Sequence, residues 1–319
     1  MPAAGRNNRC ARAMMAAFAR VAMLLLAAPS GLVVAPLGAL AAAPSTAVAV
    51  VDQTGREVPL PRLPERIVSL VPSASETLFA LGAEDRLVGV TDFCDFPPAA
   101  RSKPSVGGMV GPSLERIVAL RPDLVVATTA GNREETFAQL RRLGIPVYLV
   151  NPTSVEEALD MMARLAALTE RQAAGRALIG GLERRIRAIE ERVAPWARPR
   201  VLYVLWPEPL IVPGKGAVVS ELIRLAGGES VTAGLPDAYP HLSAEAAVAR
   251  APEVIFLARH GATTASIDRE RWERFRGLPA VRAGRLHDVD GSVLHRYGPR
   301  VVEGLETLAR LIHPEAFPR

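Results

Sequence analysis

The sequence predicts an α/β protein made of two three-layer α/β lobes, each with a mostly parallel sheet, joined by one long backbone helix. Short apolar runs alternate with helical segments in both halves, the pattern of helices packed on the faces of a parallel sheet. A proline-free stretch over 154–194 keeps helical spacing. One sequence frame, starting at Ser113, recurs 130 residues downstream at Ser243.

Residues 1–43 come first. Arg6, Arg9, Arg12 and Arg20 stand there without an acid, followed by an apolar run from Val21 to about Ala43. Pro29, Ser30, Gly31 and Pro36 interrupt that run, and its end is rich in alanine. This is the order of a secretory signal peptide, expected to be cleaved after Ala43, rather than of a retained membrane anchor. Loss of the four arginines lowers the formal charge from +5 to +1, so the basic composition is no argument for nucleic acid. Cys10 leaves with the segment. Cys94 is then the single thiol, which excludes an intramolecular disulfide.

The first lobe is placed at 44–153. Val48 to Asp52 and Glu57 to Leu60 read as a hairpin around Thr54-Gly55, and Ile67 to Val71, Leu87 to Val90, Leu124 to Ala127 and Val147 to Val150 read as buried strands. A helix start follows at Thr153-Ser154, with Glu156 and Glu157 in its first turn. Apolar residues at Val155, Leu159, Met162, Leu165, Leu178, Leu182, Ile186, Ile189 and Val193 extend it over 154–194. Such a helix would be roughly 60 Å long, enough to bridge two lobes. Gly175, Gly180 and Gly181 mark where it would bend. The second lobe, 195–319, has strands at Val201 to Leu205, Val254 to Leu257 and Leu286 to Val289.

The halves are related. Ser113-Leu114-Glu115-Arg116-Ile117-Val118-Ala119 with Pro122-Asp123-Leu124-Val125 matches Ser243-Ala244-Glu245-Ala246-Ala247-Val248-Ala249 with Pro252-Glu253-Val254-Ile255. A second echo pairs Ser75-Glu76-Thr77-Leu78 with Ser220-Glu221-Leu222-Ile223. Two matches in the same order imply duplicated topology, with the lobes facing each other across a cleft.

Loops beyond the expected strands carry the chemistry. They hold Pro72 and Ser73, Phe93 through Pro98 and Gly107-Gly108-Met109 in the first half. The second half supplies Trp206, Tyr239 and His295-Arg296-Tyr297. Aromatic residues are only 5% of the chain, yet several fall in these loops, where rings suit a flat, partly apolar ligand and Arg296 its polar edge. No nucleophile elbow, phosphate-binding loop, zinc-protease motif or paired Cys-x-x-Cys occurs, which argues against an enzyme. All five histidines lie in the second half, a poor distribution for a metal site between lobes.

These residues resemble a known family. Arg66 to Ser73, Glu76-Thr77-Leu78, Gly89-Val90-Thr91 through Asp95-Phe96-Pro97-Pro98, and Leu114 to Val125 together are similar to the cobalamin-binding proteins of ABC importers. Those belong to a wider family that binds cobalamin, haem and ferric siderophores. The resemblance runs from about Arg66 to about Leu311. It implies a monomeric periplasmic binding protein without a prosthetic group, which captures cobalamin or a related corrinoid and delivers it to a permease dimer with its ATPase. Haem or siderophore capture, and ligand sensing through a receptor, are the alternative roles. By resemblance, Phe93, Tyr239 and Arg296 would contact the ligand. Met109 stands where the family has tryptophan and Ile211 where it has phenylalanine, with Trp206 as an extra candidate. Glu115 and Glu245 would dock on the two permease subunits.

Overall fold

A computed structural model describes residues 48–259 and 265–318. The expected signal peptide, Cys10 and His260 lie outside the described residues. The first lobe runs β1 (Val48–Val51), β2 (Glu57–Leu60), β3 (Ile67–Ser69), α1 (Pro72–Ala80), β4 (Leu87–Val90), α2 (Leu114–Ala119), β5 (Leu124–Ala127), α3 (Glu134–Arg142) and β6 (Val147–Leu149). Helices α4 (Val155–Leu168) and α5 (Gln172–Val193) follow. The second lobe begins with β7 (Arg200–Val204), β8 (Trp206–Pro207), β9 (Leu210–Ile211), α6 (Val218–Leu225), β10 (Glu229–Ser230), α7 (Ala244–Ala249) and β11 (Val254–Arg259). It ends with α8 (Ala265–Glu273), α9 (Pro279–Arg282), β12 (Leu286–Asp290), α10 (Gly291–Leu294) and α11 (Val301–Ile312).

The two sheets share one topology. Their strand orders are β4-β3-β5-β6 and β10-β7-β11-β12, all parallel. Each strand sends alternate side chains to opposite layers. In β3 and β5, Ile67, Leu124 and Val126 face the central core, whereas Val68, Val125 and Ala127 face an outer layer with Ile117, Phe137 and Leu140. In β7, Val201 and Tyr203 join the central core while Leu202 and Val204 join an outer layer with Trp272. Both faces of each sheet are therefore covered, which explains why these strands read as continuous apolar runs.

The central core crosses the lobe boundary. It gathers Leu78 from α1, Met162 and Leu165 from α4, Leu182 and Ile189 from α5, Leu222 from α6 and Leu305 from α11. One shared apolar layer resists hinge opening, because separating the lobes would expose it to water.

The helical stretch differs from the sequence expectation in one respect. It is two helices, and the long connecting one is α5, with 22 residues spanning about 33 Å. The break falls at Glu170, whose φ of +58° is left-handed and cannot continue a helix. The Thr169 hydroxyl donates to the Leu165 carbonyl, and the Arg171 amide donates to Ala166. Gly175, where a bend was expected, lies inside α5. A Cβ there would come 2.6 Å from that of Ala166, so glycine lets α5 pack closely on α4.

Candidate ligand cleft and outer faces

Loops at the C-terminal ends of all four strands of the first sheet reach one cleft. Pro72 and Ser73 follow β3, Phe93 follows β4, Thr128 to Ala130 follow β5, and Val150 to Thr153 follow β6. Open parallel sheets present ligands at that end. The second lobe supplies the opposite wall through Gly216, Val218, Ala238, Tyr239 and His295-Arg296-Tyr297. The cavity is about 460 Å³.

Most of the residues singled out in the sequence meet here. Pro72, Ser73, Phe93, Met109, Tyr239 and Arg296 all line the cleft, and the Phe93 and Tyr239 rings are open to solvent. Trp206 stands apart from these residues. It sits on the β8–β9 hairpin paired with Ile211, its indole N–H donates to the Glu208 carbonyl at 3.1 Å, and it is not among the lining residues. Cys94 also points elsewhere. It is buried in the first lobe beside the hydroxyls of Ser75 and Thr91.

The lining is mostly uncharged. Hydroxyls come from Ser73, Thr128, Thr129 and Thr153, and an amide from Asn151. The Tyr239 and Tyr297 hydroxyls lie 3.1 Å apart, and burial followed by the neighbouring Tyr239 pushes the Tyr297 phenol well above its ordinary range. Tyr297 therefore stays neutral. Behind it the buried Tyr203 hydroxyl meets His295 Nε2 at 2.8 Å. Met109 is held on the first lobe by Asn132, whose side-chain amide donates to its carbonyl at 2.8 Å.

Arg296 carries the one permanent charge among the described lining residues, and it is already paired. Its guanidinium donates to Asp95 and lies 3.6 Å from Glu76. Glu76, almost fully buried, takes two hydrogen bonds from Arg300 at 2.6 and 2.8 Å. On its other side Arg300 stacks 4.1 Å from the centre of the Phe96 ring. Burial pulls the Asp95 carboxyl upward, but the Arg296 hydrogen bond and charge outweigh it and hold it below its ordinary value. Two cations of the second lobe thus meet two anions of the first. Nearby, the Gly298 backbone presses on Ser73, where a Cβ would come 3.0 Å from the Ser73 carbonyl oxygen.

The second echo in the sequence now has a structural meaning. Glu221, the repeat partner of Glu76, accepts from the Val155 amide at the start of α4 at 2.8 Å. Each of the paired glutamates therefore ties α1 or α6 to an element across the boundary. Sequence reading noted the echo but missed this use, along with the pairing of Asp95 with Arg296, the role of Arg300 and the loops after β5 and β6. For those loops the signal was available, since they end parallel strands.

On the outer faces, α2 and α7 are built alike. The hydroxyls of Ser113 and Ser243 accept from the amides of Arg116 and Ala246, capping the two helices. Each helix is followed by a left-handed residue, Arg121 or Ala251, with φ of +47° in both. Glu115 and Glu245 stand exposed in the first turns. A hydrogen bond from its own backbone amide, then the Ser243 hydroxyl, holds the Glu245 carboxyl below its ordinary value. No group of three or more His, Cys, Asp or Glu side chains converges among the described residues in a way that could hold a metal ion.

Comparison with known proteins agrees with this architecture. The vitamin B12-binding protein of Vibrio parahaemolyticus is 30% identical over 76% of this chain and 86% of its own length. The crystal structure of the periplasmic vitamin B12 binding protein BtuF of Vibrio cholerae superposes with a TM-score of 0.70 at 28% identity, covering 81% of this chain and 99% of that one. The periplasmic heme-binding protein BhuT, in complex with two hemes, superposes with a TM-score of 0.71 at 30% identity, covering 79% and 98%. The family model described as periplasmic binding protein matches residues 67–293. With most of its length inside that match, and with two like lobes enclosing one cleft, the chain belongs to the periplasmic binding protein family, the solute-binding components of ABC transport systems related to vitamin B12-, heme- and siderophore-binding proteins.

Proposed function

We propose that this protein captures cobalamin or a related corrinoid in the periplasm and delivers it to an ABC importer. Corrinoid and haem relatives superpose equally well, so the choice between ligands rests on the cleft. The observation that carries it is charge: Arg296 is neutralised by Asp95 and Glu76, leaving a lining of hydroxyls, an amide and apolar rings. A corrin ring edged with carboxamides suits such a wall, because carboxamides donate and accept as hydroxyls do. Porphyrin propionates and most siderophores bring anions that would lose hydration without gaining a free cation.

In this reading residues 1–43 direct export and are removed. Phe93 and Tyr239 pack on the ring, Met109 supplies soft apolar contact from the first lobe, and Pro72 and Ser73 form the floor. Glu115 and Glu245 meet the two halves of a permease dimer. Equilibrium dialysis of the purified protein against cyanocobalamin tests the proposal, with saturable one-to-one binding as the expected result. Retention of no corrinoid at micromolar protein would refute it.

A further inference from the structure

We infer that Asp95 is a specificity-determining residue, a charge filter that keeps Arg296 from selecting anionic ligands. The inference rests on the corrinoid reading above and concerns how the cleft separates amide-edged from acid-edged forms of such a ligand.

Arg296 reaches the cleft, while Asp95 is not among the residues that line it. Between the lobes the charges balance as a quartet: Arg296 and Arg300 against Glu76 and Asp95. The partners are not equivalent. Glu76 is committed to Arg300 through two hydrogen bonds and stands 3.6 Å from Arg296, too far for a hydrogen bond to it. Asp95 alone gives Arg296 a close partner. Beyond the quartet, Arg101 acts on Asp95 and Glu303 acts on Arg300.

Removing the Asp95 charge would leave two guanidinium groups sharing one carboxylate. The uncovered positive charge would face the cleft through Arg296, where a ligand carboxylate could replace the lost partner with a charge-assisted pair. With Asp95 in place the same carboxylate must compete with it and meets its repulsion. A neutral carboxamide suffers neither cost. A second cavity beyond Gly216 carries Lys215, for which no ion pair is seen among the described residues, so it is the rival source of anion selectivity.

The test compares cyanocobalamin with its separated monocarboxylic acids, in each of which one propionamide is hydrolysed, by calorimetric titration of wild type, Asp95→Asn, Asp95→Asn/Arg296→Gln and Lys215→Gln. In wild type the amide form is expected to bind better than the acid. For at least one monoacid, Asp95→Asn should cut that preference tenfold or more, the double variant should restore it, and Lys215→Gln should leave it unchanged. Asp95→Ser is the substitute if the asparagine variant unfolds. Unchanged preference for every monoacid in Asp95→Asn, with cyanocobalamin still bound, would overturn the filter and leave corrinoid capture standing. So would a preference governed by Lys215, or one still lost in the double variant. Failure of wild type to bind any of these corrinoids would overturn both readings.

Discussion

The lobes differ most where they face each other and least where they face outward. On the outside, α2 and α7 repeat the serine cap, the exposed glutamate and the left-handed residue after the helix. In the cleft, the first lobe gives small hydroxyl side chains, Asn151, Met109 and a single ring, Phe93, whereas the second gives Tyr239, Tyr297, His295 and Arg296. A repeated outer face suits a partner that is itself two-fold, while a divergent inner face suits an asymmetric ligand.

Charge reversal on the outer pair should have the largest effect. Glu115→Arg with Glu245→Arg should abolish transport in an uptake assay and leave ligand titrations unchanged, because both carboxylates lie outside the cleft. Each single variant should keep part of the uptake. Normal transport by the double variant would remove the functional reason for the outer likeness.

The two clasp glutamates sharpen the comparison from the stability side. Glu76→Gln breaks a nearly buried pair and leaves Arg300 without its counter-charge, so urea unfolding should show a loss of about 3 kcal/mol. Tyr239→Ala should cost about 2 kcal/mol of binding, roughly thirtyfold in affinity, with little change in unfolding because the ring is exposed. Glu221→Gln keeps a side-chain oxygen to accept from the Val155 amide but removes the charge that strengthens this half-buried bond, and should lower stability by about 1 kcal/mol. Equal losses for Glu76 and Glu221 would mean that the two clasps are energetically alike, contrary to the geometry.

Much of this architecture was legible in the sequence because it is written in local patterns. Continuous apolar runs marked the strands, and the recurring Ser-x-Glu frame marked the two related outer segments, though not the serine caps that begin their helices. The end of α4 was not legible. Glu170 adopts its left-handed conformation because of how the Thr169 and Arg171 hydrogen bonds close the helix, and no glycine or proline announces it. Within the cleft, residue type pointed to Phe93, Tyr239 and Arg296, but it pointed equally to Trp206, which sits on the β8–β9 hairpin outside the lining. The pairing of Arg296 with Asp95 joins residues 201 positions apart and depends on how the lobes meet. A sequence reading that treats Arg296 as a free cation therefore misjudges the charge of the cleft.

Competition between cyanocobalamin and haem for the purified protein tests the central claim most directly, followed by their separate visible bands. If the neutral cleft selects its ligand, cyanocobalamin should saturate the protein at one equivalent and equimolar haem should fail to displace it. Haem bound at one equivalent with cyanocobalamin left free would contradict the assignment.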